Sequence, residues 1–237
     1  GAGTREAALA FGGLTSTQVD NSEEYNGTAW AEGNNLNTAR RNLGSAGTQT
    51  AGLAMGGYIP GSPVDGAATE EYGGTSWTNG NDMNTARHGL AGAGTQTAGL
   101  AFGGNPAKNE SEEYDGTNWT EGDNLNSGRR FLGGAGTQTA GLAFGGTPPN
   151  SALAESYDGS SWTEVGDLNT ARNNLSGFGG SNAAALAIAG NSGSIVAIAE
   201  QFDGTAWTEV ADLSNAREEI AGAGTLSAGI GFGGSPD

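Results

Sequence analysis

The apolar positions of this chain fall in short runs punctuated by glycine, with polar stretches of loop length between them. Leu53-Ala54-Met55, Leu100-Ala101-Phe102, Leu142-Ala143-Phe144 and Leu186-Ala187-Ile188 are continuous apolar runs, which predict strands buried on both faces. Before each lies a small-residue segment that opens on an Arg and has an apolar residue three positions later: Leu43, Leu90, Leu132, Leu175, Ile220. This predicts a further strand, joined to the first by the turn Gly-Thr-Gln-Thr at 47–50, 94–97 and 136–139. After the apolar run comes a segment ending in an aromatic (Tyr25, Tyr72, Tyr114, Tyr157, Phe202), then one that starts near a Trp. The dipeptides between them, Asn26-Gly27, Gly73-Gly74, Asp115-Gly116, Asp158-Gly159 and Asp203-Gly204, predict type I′ hairpins, because both central positions of that turn need positive φ. Each unit thus reads as four short antiparallel strands, A to D.

The unit recurs. Glu23, Trp30 and Arg40 return as Glu70, Trp77, Arg87, then Glu112, Trp119, Arg129, then Glu155, Trp162, Arg172, then Glu200, Trp207, Arg217. Successive Trp residues lie 47, 42, 43 and 45 positions apart, the period of a four-stranded propeller blade. The expected fold is all-β: one propeller domain over 1–237, with repeats at about 1–39, 40–86, 87–128, 129–171 and 172–216 and a closing segment at 217–237. Five blades are expected, with six, one of them incomplete, as the alternative. Ring closure is simplest if Arg217–Gly224 completes the first blade, which leaves a surplus strand after Leu226. The Trp and Tyr residues are expected to pack blade to blade, the two rings of each hairpin forming a cross-strand pair.

A di-glycine closes the apolar strand (Gly12-Gly13, Gly56-Gly57, Gly103-Gly104, Gly145-Gly146, Gly233-Gly234), then a Tyr, a Trp and an Arg follow. On these residues the chain resembles the kelch repeat family, apart from the fifth copy, which has Ala189-Gly190 and Phe202. The resemblance implies a propeller whose usual role is binding. The galactose oxidase branch of that family needs a Tyr–Cys cross-link and histidine ligands, whereas this chain has no Cys and one His, His88. In repeat register His88 aligns with Arg41, Arg130, Asn173 and Glu218, and it is expected to be an exposed side chain.

Composition narrows the partners. Twenty-six acidic residues against nine basic ones give a net charge of −17, which disfavours nucleic acid, since phosphate binding rests on clustered Lys and Arg. No apolar run is long enough to predict membrane insertion, and the first residues lack the regions of a signal peptide. Without cysteine there is no disulfide, thiolate site or thiol nucleophile. No cofactor, metal or catalytic residue is expected. The acidic D–A turns, such as 121–124 and 164–167, offer oxygen ligands for Ca²⁺ but no EF-hand spacing, and read as solvated turns.

The spacing of Glu, Trp and Arg never varies, while the segments between the di-glycine position and the next Glu have 9, 12, 7, 8 and 9 residues. These B–C loops should emerge on the same face as the D–A connections, and unlike loops on a constant frame are how binding proteins diversify. Expected contact residues are Tyr58, Ile59 and Pro60, then Asn105, Pro106 and Lys108, then Pro148 and Asn150. The repeated Arg is expected to pair with the repeated Glu and set the blade angle, rather than to ring the channel mouth. The expected function is non-enzymatic recognition of a protein or carbohydrate ligand, with glycans or a surface protein in view and an extracellular or virion-associated setting. The alternative is a structural spacer that self-associates through the surplus C-terminal strand.

Overall fold

The computed structural model describes residues 1–59, 61 and 66–236. No helix occurs among them; the fold is a β-propeller with five four-stranded antiparallel blades, each in simple A-B-C-D order. Blade 1 is β1 (Ala2–Gly3), β2 (Ala8–Phe11), β3 (Ser22–Tyr25) and β4 (Trp30–Glu32). Blade 2 is β5 (Gly44–Thr48), β6 (Ala51–Met55), β7 (Thr69–Tyr72) and β8 (Trp77–Asn79). Blade 3 is β9 (Ala91–Thr95), β10 (Ala98–Phe102), β11 (Ser111–Tyr114) and β12 (Trp119–Glu121). Blade 4 is β13 (Gly133–Thr137), β14 (Ala140–Phe144), β15 (Ala154–Tyr157) and β16 (Trp162–Val165). Blade 5 is β17 (Ser176–Ser181), β18 (Ala184–Ile188), β19 (Ala199–Phe202) and β20 (Trp207–Glu209). A two-stranded hairpin, β21 (Arg217–Thr225) with β22 (Ala228–Pro236), fills the arc between blade 5 and blade 1.

The core lies between blades. At each of the four junctions between full blades, Leu and Phe (or Met) of one strand B, with a Leu or Met of the D–A connection, meet Ala, Tyr or Phe, and Trp of the next blade. Leu9, Phe11 and Leu36 meet Ala54, Tyr72 and Trp77, for example. Close approach is built in at Gly99: a Cβ there would lie 2.7 Å from Leu53 Cδ2 of the preceding blade. The expected cross-strand rings are present, Tyr114–Trp119 and Tyr157–Trp162 both at 4.9 Å, and ring pairs such as Phe102–Trp162 at 5.0 Å link neighbouring blades.

Three local expectations need correction. In blades 2 to 5 strand A starts four residues past the Arg, where the second residue after the Arg takes positive φ and interrupts the extended run; only β21 runs from its Arg, Arg217. The C–D turns are four-residue loops, not type I′ pairs: Tyr25 pairs Trp30, and Asn26 N donates to Ala29 O. Only the second residue of each dipeptide, always a Gly, has positive φ, while in four of the five the preceding Asn or Asp accepts two backbone N–H groups, as Asp115 does from Thr117 and Asn118. Finally, Arg217–Gly224 does not complete blade 1. That place belongs to β1, and β21 pairs with β22, the partner nearest in sequence. Phe232 of β22 then lies 4.9 Å from Trp30 and closes the ring.

Candidate functional site

Each D–A connection carries a clasp. Arg40, Arg87, Arg129 and Arg172 are buried and pair with Glu70, Glu112, Glu155 and Glu200 of the blade that follows, at 3.1, 3.0 and 2.7 Å for the first three. Burial pulls the first three guanidinium groups below their ordinary value, and the facing Glu opposes that pull. They stay charged, because an arginine starts far above neutrality. The same carboxylate accepts the backbone N–H of Asn37, Asn84, Asn126 or Asn169, and each Asn amide donates to the carbonyl of the next Trp. Gln49, Gln96 and Gln138 of the A–B turns reach back to two carbonyls of the preceding blade. These side chains set geometry and leave no charge for a ligand. The fifth pair does not form: Glu23 is exposed, and Arg217 donates to Gly233 O.

The opposite case is the residue pair just after each Arg. Asn42, Gly89, Phe131, Asn174 and Glu219 occupy one repeat position, all with φ between 52° and 64°. Their backbones form a relay around the mouth of a central channel of about 730 Å³: Gly89 N donates to Asn42 O, Phe131 N to Gly89 O, Asn174 N to Phe131 O and Glu219 N to Asn174 O. Positive φ is costly for Phe and Glu, and such strain concentrates at functional sites. The channel wall itself is mostly glycine and alanine.

The B–C loops begin beside this mouth. Tyr58 bridges to Arg41, Thr147 to Arg130 and Asn191 to Asn173, while Asn105 N donates to His88 O. B–C and D–A segments therefore share one face, and their side chains join into a belt. On one arc it is cationic and aromatic: the Arg41 guanidinium lies 5.1 Å over the Tyr58 ring, Tyr58 meets His88 edge-on at 5.7 Å, and Phe131 lies tilted against His88 at 6.1 Å and under Arg130 at 5.3 Å. Arg130 donates to Asn105 Oδ1. On the other arc it is made of amides and a carboxylate: Asn173 donates to Asn150 Oδ1, and Asn191 and Asn174 donate to Glu218 at 3.2 and 3.0 Å.

Of the expected contact residues, Tyr58, Asn105 and Asn150 enter the belt. Lys108 pairs with Glu110 at 3.5 Å, and Ile59 packs toward Gly66. Pro106 and Pro148 are exposed at loop tips, and Pro60 lies outside the described residues. His88 is half-buried between Tyr58 and Phe131 rather than exposed, because both rings pack on it. Sequence does not single out Arg41, Phe131, Arg130, Asn173 and Glu218; their signal is the free variation of the two positions after the repeated Arg, which resembles drift. Among the described residues no three His, Asp or Glu side chains gather as metal ligands, and no helix is long and apolar enough to cross a membrane. Comparison with known proteins found no matching family model and no matching curated protein.

Proposed function

We propose that this protein is a non-enzymatic recognition module, kelch-type in its repeat, that takes a glycan or a surface protein on the face around the channel mouth. The supporting observation is the contrast along each connection: the Arg–Glu clasp is repeated four times, while the two residues after the Arg form a different pair in every copy and meet unlike B–C loops. Aromatic rings flanked by guanidinium and amide groups suit a polyhydroxylated or peptidic ligand, offering apolar faces beside fixed donors and acceptors. A single lysine, many Asn, Thr and Gly residues and near-identical copies go with an extracellular or virion-borne setting. The test is a glycan and surface-protein binding screen run with the wild type and with Tyr58→Ala and Arg130→Ala. We expect a ligand whose binding falls at least tenfold in both variants at unchanged melting temperature. A ligand that both variants bind as tightly as wild type would overturn the assignment to this face. The unpaired edge of β22 favours a second reading, a self-associating spacer.

A further inference from the structure

The junction after blade 5 has one half of the clasp and lacks the other. Leu213 occupies the connection position held by buried Leu36, Met83, Leu125 and Leu168, and Leu186 that of fully buried Leu53, Leu100 and Leu142, yet both are only partly buried. Their cover elsewhere is the Tyr or Phe and the Trp of the next blade's C–D hairpin. Arg217 repeats the bond of Arg40, donating to the di-glycine carbonyl (Gly233 O at 3.1 Å, Gly56 O at 2.7 Å), but among the described residues no carboxylate answers it. Strand β22 repeats the register of a strand B against β21, and its other edge pairs with no described strand.

We propose that this slot is a docking site for a β-hairpin with the chemistry of the chain's own C–D hairpins: a Glu, an aromatic two residues later and a Trp seven residues after the Glu. The incoming strand pairs with the free edge of β22, placing an aromatic opposite Gly229 and a Glu opposite Gly231, as Tyr72 and Glu70 stand opposite Gly52 and Ala54. Its Glu reaches Arg217, and a Trp seven residues later covers Ile188 and Leu213. Edge addition supplies backbone hydrogen bonds, and the carboxylate and indole supply specificity. A second copy of this chain brings no free hairpin of that kind, since β22 carries no carboxylate and the Glu-bearing strands β3, β7, β11, β15 and β19 already hold the third place in their own sheets; only edge-to-edge pairing of β22 is open to it. The site is separate from the channel-mouth face, so it stands or falls independently of the recognition reading.

The probe is a fluorescein-labelled peptide with the sequence of residues 109–122, titrated into the 237-residue protein and followed by anisotropy, with amide exchange reporting on β22. Saturable binding, new protection along β22 and a raised melting temperature are expected. Glu112→Gln or Trp119→Ala in the peptide, and Arg217→Ala in the protein, should each weaken binding at least tenfold; the peptide variants leave the protein's folding untouched. The proposal is overturned by absence of saturable binding at millimolar peptide or by binding indifferent to both peptide substitutions. It is equally overturned if sedimentation shows a dimer whose β22 is already protected without peptide.

Discussion

The junction between blades 3 and 4 and the junction between blades 4 and 5 place the same rings alike and differ in polar atoms. Phe102 meets Trp162 at 5.0 Å in the first, and Phe144 meets Trp207 at 4.9 Å in the second. Both keep the buried Arg–Glu pair. In the first, Trp162 Nε1 donates to Ser111 Oγ at 3.4 Å and the Tyr157 hydroxyl donates to Glu113 at 2.7 Å. In the second, Ala154, Phe202 and Ser156 stand in the places of Ser111, Tyr157 and Glu113, and Trp207 Nε1 is buried without an acceptor. The rings and the ion pair therefore define a junction, and the hydroxyl contacts are additions that one junction does without.

Removing the ion pair should break the comparison most severely. Arg129→Ala leaves Glu155 buried without its cation, and loss of one partner of a buried pair costs about 3–5 kcal/mol. Denaturant unfolding of Arg129→Ala and Arg172→Ala should show losses of that size in both, since the pair is common to the two junctions. A loss below about 1 kcal/mol in either would mean that ring packing alone holds the blade angle.

The shared parts of these junctions are also the parts that sequence makes legible. Trp, Glu and Arg recur at fixed spacing because each touches the next blade at a fixed point, so the period reports the packing directly. The Asn of Leu-Asn-Thr-Ala-Arg belongs to the same clasp and was equally readable, but its polar character suggests a solvated turn until Glu200 and the Trp207 carbonyl are seen on Asn169. The channel mouth was not legible. Nothing about Phe131 or Glu219 predicts positive φ; the neighbouring backbone relay imposes it. At the C–D loops the Asp-Gly dipeptide alone predicts a two-residue turn, whereas the Asp carboxylate organises two further residues. Closure is equally hidden, because the short β1 reads as incomplete in sequence while β21 finds its partner only two residues downstream.

Tyr72→Phe should make the junction between blades 1 and 2 resemble the one between blades 4 and 5. The Tyr72 hydroxyl donates to Glu24 Oε1, and a hydrogen bond to a charged group contributes about 1.5–3 kcal/mol. Glu24 is partly exposed and water can replace the phenol, so a loss near about 1.5 kcal/mol is expected. Burial, then the bond to Glu24, pushes the phenol up to about 12, above its ordinary value of about 10. A raised folded-state value favours the neutral phenol. Its contribution is complete below about pH 10 and fades as pH rises toward about 12. The gap in stability between wild type and Tyr72→Phe should therefore be constant through neutral pH and narrow above pH 10. A gap that persists unchanged at pH 11.5 would assign it to packing instead.

The smallest expected effect is a gain. Ala154→Ser places a hydroxyl where Ser111 has one, next to the unsatisfied Trp207 Nε1. Ser111 Oγ also donates to Asp123 O at 2.5 Å, and the carbonyl at the matching position, four residues past Trp162, is that of Gly166. The introduced hydroxyl can thus accept from the indole and donate to a carbonyl, leaving no new polar atom unpaired. Ala154 is fully buried, but the same backbone position holds Ser22, Thr69 and Ser111 in other blades without disturbing strand pairing. The substitution should stabilise by about 0.5–1.5 kcal/mol, read as a rise in denaturation midpoint at constant m-value. The Trp207 indole N–H should show slower hydrogen exchange. A neutral or negative result would mean that the second junction has repacked around the alanine, and that its missing hydroxyl is compensated by something other than the ring contacts it shares with the first.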